Sequence, residues 1–107
     1  MKLHQKKCRP CEGFEKPLTP EQVRDYLSQV DSWQTDNLKI WKEFKFKDFK
    51  ETMAFVNKVA DLAEQEGHHP DMEVHYARIQ IKIWTHAISG LSENDFILAS
   101  KIDKLKE

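Results

Sequence analysis

Apolar positions recur along this 107-residue chain with two different periods. After a polar opening closed by Pro17, the stretch LTPEQVRDYLSQV sets Val23, Leu27 and Val30 on one stripe with Tyr26 beside it, the spacing of an amphipathic helix. Thr19 suits the N-cap, Pro20 the first helical position, and Gln22 stands three residues after the cap, so a helix is expected over 20–30. The period then falls to two in SWQTDNLKIWKEFKF. Asp36-Asn37 reads as a turn between two strands. Beyond it Leu38, Ile40, Phe44 and Phe46 share one face, while Trp41, Glu43 and Lys45 share the other.

Helical spacing returns after Asp48, a second cap. Phe49, Met53, Val56, Ala60 and Ala63 form a stripe widened by Phe55, Val59 and Leu62, and Gly67 suits its C-terminal stop. Pro70 forbids further helix and biases His69 toward extended backbone. From Met72 to His86 the pattern is strand-like: Ile79, Ile81 and Ile83 face one way, and Arg78, Gln80, Lys82, Trp84 and His86 the other. A break near Ala77-Arg78 would divide the stretch into two strands. Gly90 makes a turn, Ser92 caps a last helix with Asp95 in its first turn, and Phe96, Leu98, Ala99, Ile102 and Leu105 line its apolar side.

Helix, two strands, helix, one or two strands, helix is the order of an α+β domain with an antiparallel sheet and helices on one face. The other sheet face, carrying Trp, Tyr, His and long polar chains, is either wet or meets another subunit. Length predicts one domain, 18–107, after a polar leader, 1–17.

Composition narrows the function. Hydrophobic residues reach 39%, too many for a disordered chain. With 17 basic against 18 acidic residues, nothing draws the chain toward nucleic acid. Lys39, Lys42, Lys45, Lys47 and Lys50 read as a solvated sheet edge and helix start. No apolar run approaches the ~20 residues of a membrane span, and the opening lacks the apolar centre of a secretory signal, so the cytoplasm is the expected compartment. Cys8 and Cys11 form a C-x-x-C in the leader. No second pair completes a zinc site, although His4 would add a third ligand, and a redox pair normally sits at a strand-to-helix junction.

The chemistry gathers in EQEGHHP, which holds His68 and His69, with His86 further along. Adjacent His68 and His69 point in different directions on an extended chain. His86 joins them if the loop after the second helix lies beside the end of the last strand. Spacing alone leaves three readings open: acid–base work near neutral pH, a zinc site of three nitrogens and a water, or surface and capping histidines.

The pattern Glu64-x3-His68-His69-Pro70-x5-Tyr76-x9-His86-x8-Asp95 resembles the signature of the pterin-4a-carbinolamine dehydratases. So do the C-x-x-C-E-G leader, the L-T-x-E start of the first helix, Trp33 before the first strand, and Thr85-His86 ahead of Gly90-Leu91-Ser92. The resemblance implies a four-stranded antiparallel sheet with three helices packed on one face, in the order α-β-β-α-β-β-α. It implies homodimers or homotetramers. It also implies a hydro-lyase, 4a-hydroxytetrahydrobiopterin dehydratase, that removes water from a 4a-hydroxytetrahydropterin to give the quinonoid dihydropterin. That reaction recycles the tetrahydropterin of aromatic amino-acid hydroxylases and uses no metal or organic cofactor, the pterin being the substrate.

By the same resemblance His68 and His86 are the acids and bases near the 4a-hydroxyl, and His69 holds or deprotonates the pterin. Glu64 and Asp95 orient imidazoles. Tyr76 and Trp84 either pack the sheet or stack on the ring, and Pro70 shapes the loop. Gly67, Ala87 and Met72 depart from the family's usual residues at their positions, and none removes a histidine. Two other roles stay open: a non-catalytic protein-binding module, as in an animal member that binds a homeodomain transcription factor, and a pterin-related role in molybdenum-cofactor metabolism.

Overall fold

The Thr19 hydroxyl accepts the Gln22 N–H at 3.3 Å and the Gln22 side chain accepts the Thr19 N–H at 2.9 Å, a reciprocal cap that starts helix α1 (Pro20–Leu27). The computed structural model describes residues 2–10, 13 and 15–107. Helix α1 stops three residues before the expected end. The N–H groups of Gln29 and Val30 close three-residue turns onto Tyr26 and Leu27 instead of continuing the helix.

Strand β1 (Gln34–Thr35) meets β2 (Ile40–Lys45) across the expected turn, where the Asp36 carboxylate accepts the N–H groups of Leu38 and Lys39, each at 2.9 Å. Leu38 therefore belongs to the turn, 57% exposed, and not to the buried strand face. Lys42 shares the inner side of β2 with Ile40 and Phe44. Its ammonium reaches Asp103 at 2.8 Å, so it is a structural ion pair and not part of a solvated patch.

Asp48 caps helix α2 (Phe49–Glu66), accepting the Glu51 N–H at 2.9 Å. Its buried line is Thr52, Phe55, Val59 and Ala63, rotated from the expected stripe, with Phe49 exposed. Thr52 can be buried because its hydroxyl lies 2.9 and 3.0 Å from the carbonyls of Asp48 and Tyr76. Strand β3 (Asp71–Val74) and strand β4 (Arg78–Ile83) follow, and helix α3 (Glu93–Lys106) ends the chain. The break near Ala77-Arg78 is real. The sheet runs β1-β2-β4-β3 with every neighbour antiparallel, so the α-β-β-α-β-β-α order holds.

Ile40, Phe44, Ile79, Ile81 and Ile83 form the buried sheet face beneath Phe55 and Val59 of α2 and Phe96, Leu98 and Ile102 of α3. Every residue from Asn94 to Ala99 is buried, which one amphipathic face cannot achieve. The leader supplies part of the extra cover: a short 3-10 turn, Leu3–Gln5, packs on α3 and buries Leu3. Glu66 accepts the Cys8 N–H at 2.9 Å and holds Lys101 at 2.7 Å, while Lys6 reaches Glu93 at 2.7 Å. The polar leader is thus pinned to both long helices. No helix among the described residues is long and apolar enough to cross a membrane.

Candidate active site

Gly67 ends α2 in the left-handed conformation, φ 65° and ψ 27°, which glycine adopts without steric cost. That turn carries His68 and His69 off the helix end. His68 is nearly buried, and its Nε2 lies 2.6 Å from Oδ1 of Asp95. Asp95 is wholly buried at the start of α3. Its Oδ2 accepts the Ser92 N–H and the Thr85 hydroxyl, both at 2.9 Å, and Thr85 Oγ1 lies 2.8 Å from Ser92 Oγ. One carboxylate therefore caps a helix with one oxygen and holds an imidazole with the other. The positive end of the α3 dipole favours its charge.

His69 pairs with Glu64 at 2.5 Å through Nε2, and both side chains are exposed. His86 is not on a strand. The ladder stops at Ile83, the Thr85 N–H donates to the Gly90 carbonyl at 2.9 Å, and the chain doubles back through a 3-10 turn, His86–Ile88. His86 opens that turn and stacks on Trp84, ring centroids 4.1 Å apart and planes 11° apart. The Lys39 ammonium sits 4.3 Å from the Trp84 ring centroid.

The three histidines line one cavity of about 260 Å³, shared with Trp84, Thr85, Gly67, Ala87, Arg9 and Asn94. Glu64 and Asp95 contact histidines of the wall without lining it themselves, and Pro70 follows His69 outside the lining. Tyr76 is not brought to the cavity. It stacks on Phe49 at 6.4 Å, at the far end of α2 from His68, roughly 25 Å away along an 18-residue helix. His75 makes another carboxylate pair, with Glu73 at 2.7 Å, but does not line the cavity. His4 lies in the leader's 3-10 turn.

Arg9, Asn94 and Thr85 line the cavity with no assignment from the sequence, and Trp84, read as sheet packing or as stacking on the ring, is in its wall. Asn94 accepts the Arg9 N–H at 2.9 Å and donates to its carbonyl at 2.6 Å, which brings the leader to the wall. Of the C-x-x-C, Cys11 lies outside the described residues. Cys8 is buried with Sγ 3.5 Å from the Asn94 carbonyl, and burial, helped by the Glu66 carboxylate, pushes its thiol up to about 12. Such a thiol is a poor nucleophile and metal ligand. Among the described residues no three His, Cys, Asp or Glu side chains are arranged to hold a metal ion.

A carboxylate on Nε2 favours the proton there and leaves Nδ1 as an acceptor. Nδ1 of His68 and of His69 is thus the nitrogen left to take or give a proton, and His86 is held against an aromatic plane.

Comparison with known proteins identifies relatives along most of the chain. The profile of the pterin 4 alpha carbinolamine dehydratase family matches residues 16–105. The "Putative pterin-4-alpha-carbinolamine dehydratase" of Nitrosospira multiformis is 50% identical over 103 residues, covering 96% of this chain and 91% of its own. Its namesake from Legionella pneumophila is 48% identical over 106 residues, with coverage of 96% and 94%. The crystal structure of a transcriptional coactivator/pterin dehydratase from Brucella melitensis shares the fold with a TM-score of 0.81 and 31% identity, over 86% of this chain and 100% of that one. A pterin dehydratase-like RuBisCO assembly factor of the alpha-carboxysome is similar in fold alone, TM-score 0.58 at 24% identity, over 68% of this chain and 84% of that one. With a family profile spanning most of its length and relatives half identical to it from end to end, this chain belongs to the pterin 4 alpha carbinolamine dehydratase family.

Proposed function

We propose that this protein is a hydro-lyase that dehydrates a 4a-hydroxytetrahydropterin to the quinonoid dihydropterin and water, by acid–base catalysis at His68, His69 and His86. The observation that carries the reading is the convergence of these imidazoles on one cavity, two of them with a carboxylate on Nε2. Dehydration of a carbinolamine breaks the C–O bond at the 4a carbon. The oxygen leaves as water once an acid protonates it, and a base takes the proton from the neighbouring ring nitrogen, whose electron pair closes the C=N bond. One proton is given and one taken, with no change of oxidation state. Side chains that exchange protons near neutral pH therefore suffice, and the pterin enters as substrate, not cofactor.

His68 and His86 serve the leaving oxygen in this scheme, and His69 serves the ring. Asp95 holds His68 in the Nε2–H tautomer, and Glu64 does the same for His69 from a solvent-exposed position. In a cell this activity returns spent tetrahydropterin to use.

The test is stopped-flow absorbance of 4a-hydroxytetrahydropterin decay, with the spontaneous rate subtracted, for wild type, His69→Ala and the double variant His68→Gln/His86→Ala. Wild type accelerates decay, and the variants lose about 10²-fold or more of that acceleration while remaining folded. A wild-type rate equal to buffer would sink the enzyme reading. It would favour a protein-binding role, in line with the transcriptional coactivator/pterin dehydratase of Brucella melitensis.

A further inference from the structure

Among the described residues that line the histidine cavity, Arg9 alone carries a permanent charge. Its backbone is fixed there. The two Asn94 hydrogen bonds hold its N–H and carbonyl, and the preceding Cys8 is buried with its own N–H on Glu66. Its side chain, by contrast, is 80% exposed, with Nη2 at 3.7 Å from Oε1 of Glu93. The other Glu93 oxygen already takes Lys6 at 2.7 Å and the Tyr26 hydroxyl at 3.1 Å, so one Glu93 carboxylate is shared between two cations and does not neutralise both. Glu15 and Glu93 border Arg9 in the adjoining cavity and do not line the histidine one.

We propose that Arg9 is a specificity-determining residue that binds an anionic group, carboxylate or phosphate, on the side-chain substituent of the pterin. The assignment rests on the pterin reading of the cavity. His68, 12% exposed, is the most enclosed of the three histidines, while His69, 61% exposed, and the exposed His86 stand toward the rim with Arg9, 80% exposed. A ring that brings its reacting carbon to the histidines leaves its substituent at the rim. A guanidinium pairs there with a carboxylate or phosphate through two parallel N–H bonds, and gains less from a neutral hydroxyl.

The test uses two stable fluorescent pterins that differ only in that group, pterin-6-carboxylate and 6-hydroxymethylpterin. Each is titrated into the full-length wild type, Arg9→Gln and Arg9→Lys. Wild type binds the carboxylate about fivefold more tightly, the scale of one solvent-exposed ion pair. Arg9→Gln brings the ratio close to one, Arg9→Lys keeps part of it, and added salt shrinks it in wild type. A wild-type ratio of one, or an unchanged ratio in Arg9→Gln, overturns the assignment while leaving the dehydration reading intact. Failure of both pterins to bind wild type overturns the assignment together with the pterin reading.

Discussion

Oδ1 of Asp95 lies 2.6 Å from Nε2 of His68, and the other oxygen of the same carboxylate caps the helix that carries it. Fold and site therefore share one side chain. The residue before it, Asn94, ties the leader to the cavity by two hydrogen bonds. The first turn of α3 is thus where the leader, the turn after β4 and the loop after α2 meet.

Asp95→Asn tests the tautomer role. The amide oxygen still accepts from Ser92 and Thr85, which turns the NH2 toward His68 and favours the opposite tautomer. The expected outcome is a loss of about 10²-fold in the enzymatic dehydration rate with an unchanged circular dichroism spectrum. Rates within twofold of wild type would remove Asp95 from the mechanism.

Glu64→Gln provides the contrast. Its pair with His69 has both partners well exposed, 77% and 61%, so it contributes about 0–1 kcal/mol. Urea unfolding midpoints should barely change, and the rate should fall much less than in Asp95→Asn. A larger loss for Glu64→Gln would reverse the assigned importance of the two carboxylates.

Most of the fold was legible because period and caps agree. Thr19, Asp48, Ser92 and Gly67 all act at the helix ends where they were expected. The departures have local causes. Alternation places Leu38 on the strand face, but the Asp36 side chain draws that backbone into its turn. Helical spacing places Phe49 on the apolar stripe, yet a hydroxyl with two carbonyl neighbours, Thr52, takes the buried line. Period two carries His86 along β4, whereas the contacts of Thr85 with Gly90 and Asp95 turn the chain first. The histidine set needed a long gapped pattern to be noticed. Arg9 and Asn94 gave no sequence signal, because the leader has no periodicity and its docking partner lies 85 residues away.

Asp103→Asn should separate stability from activity. Asp103 accepts Trp33 Nε1 at 3.1 Å and Lys42 Nζ at 2.8 Å, with both charged partners mostly buried. It lies two turns of α3 beyond Asp95, about 12 Å along the helix. Removing its charge leaves Lys42 poorly matched on the inner sheet face, a cost of about 2 kcal/mol in urea unfolding. Dehydration by the folded protein should stay within twofold of wild type. A large loss of rate would mean that the sheet transmits strain to the cavity.

Acid sensitivity should trace to Glu66. Burial alone would raise its pKa, but the Cys8 N–H and the Lys101 ammonium outweigh burial and hold the carboxyl below its ordinary 4.5. A depressed carboxyl stabilises the fold fully above the unfolded value and loses that contribution as pH falls through the folded value. Glu66→Gln cannot titrate and leaves Lys101 without its anion, so it should be less stable than wild type at pH 7. As pH drops below about 4.5 and through the lower folded value, wild type loses the advantage and the two unfolding midpoints converge. Glu93 is also depressed, chiefly by Lys6, but it is present in both proteins and cancels in the comparison. A gap between the two midpoints that stays constant from pH 7 to 3 would show that Glu66 does not tie the leader to α2 through its charge.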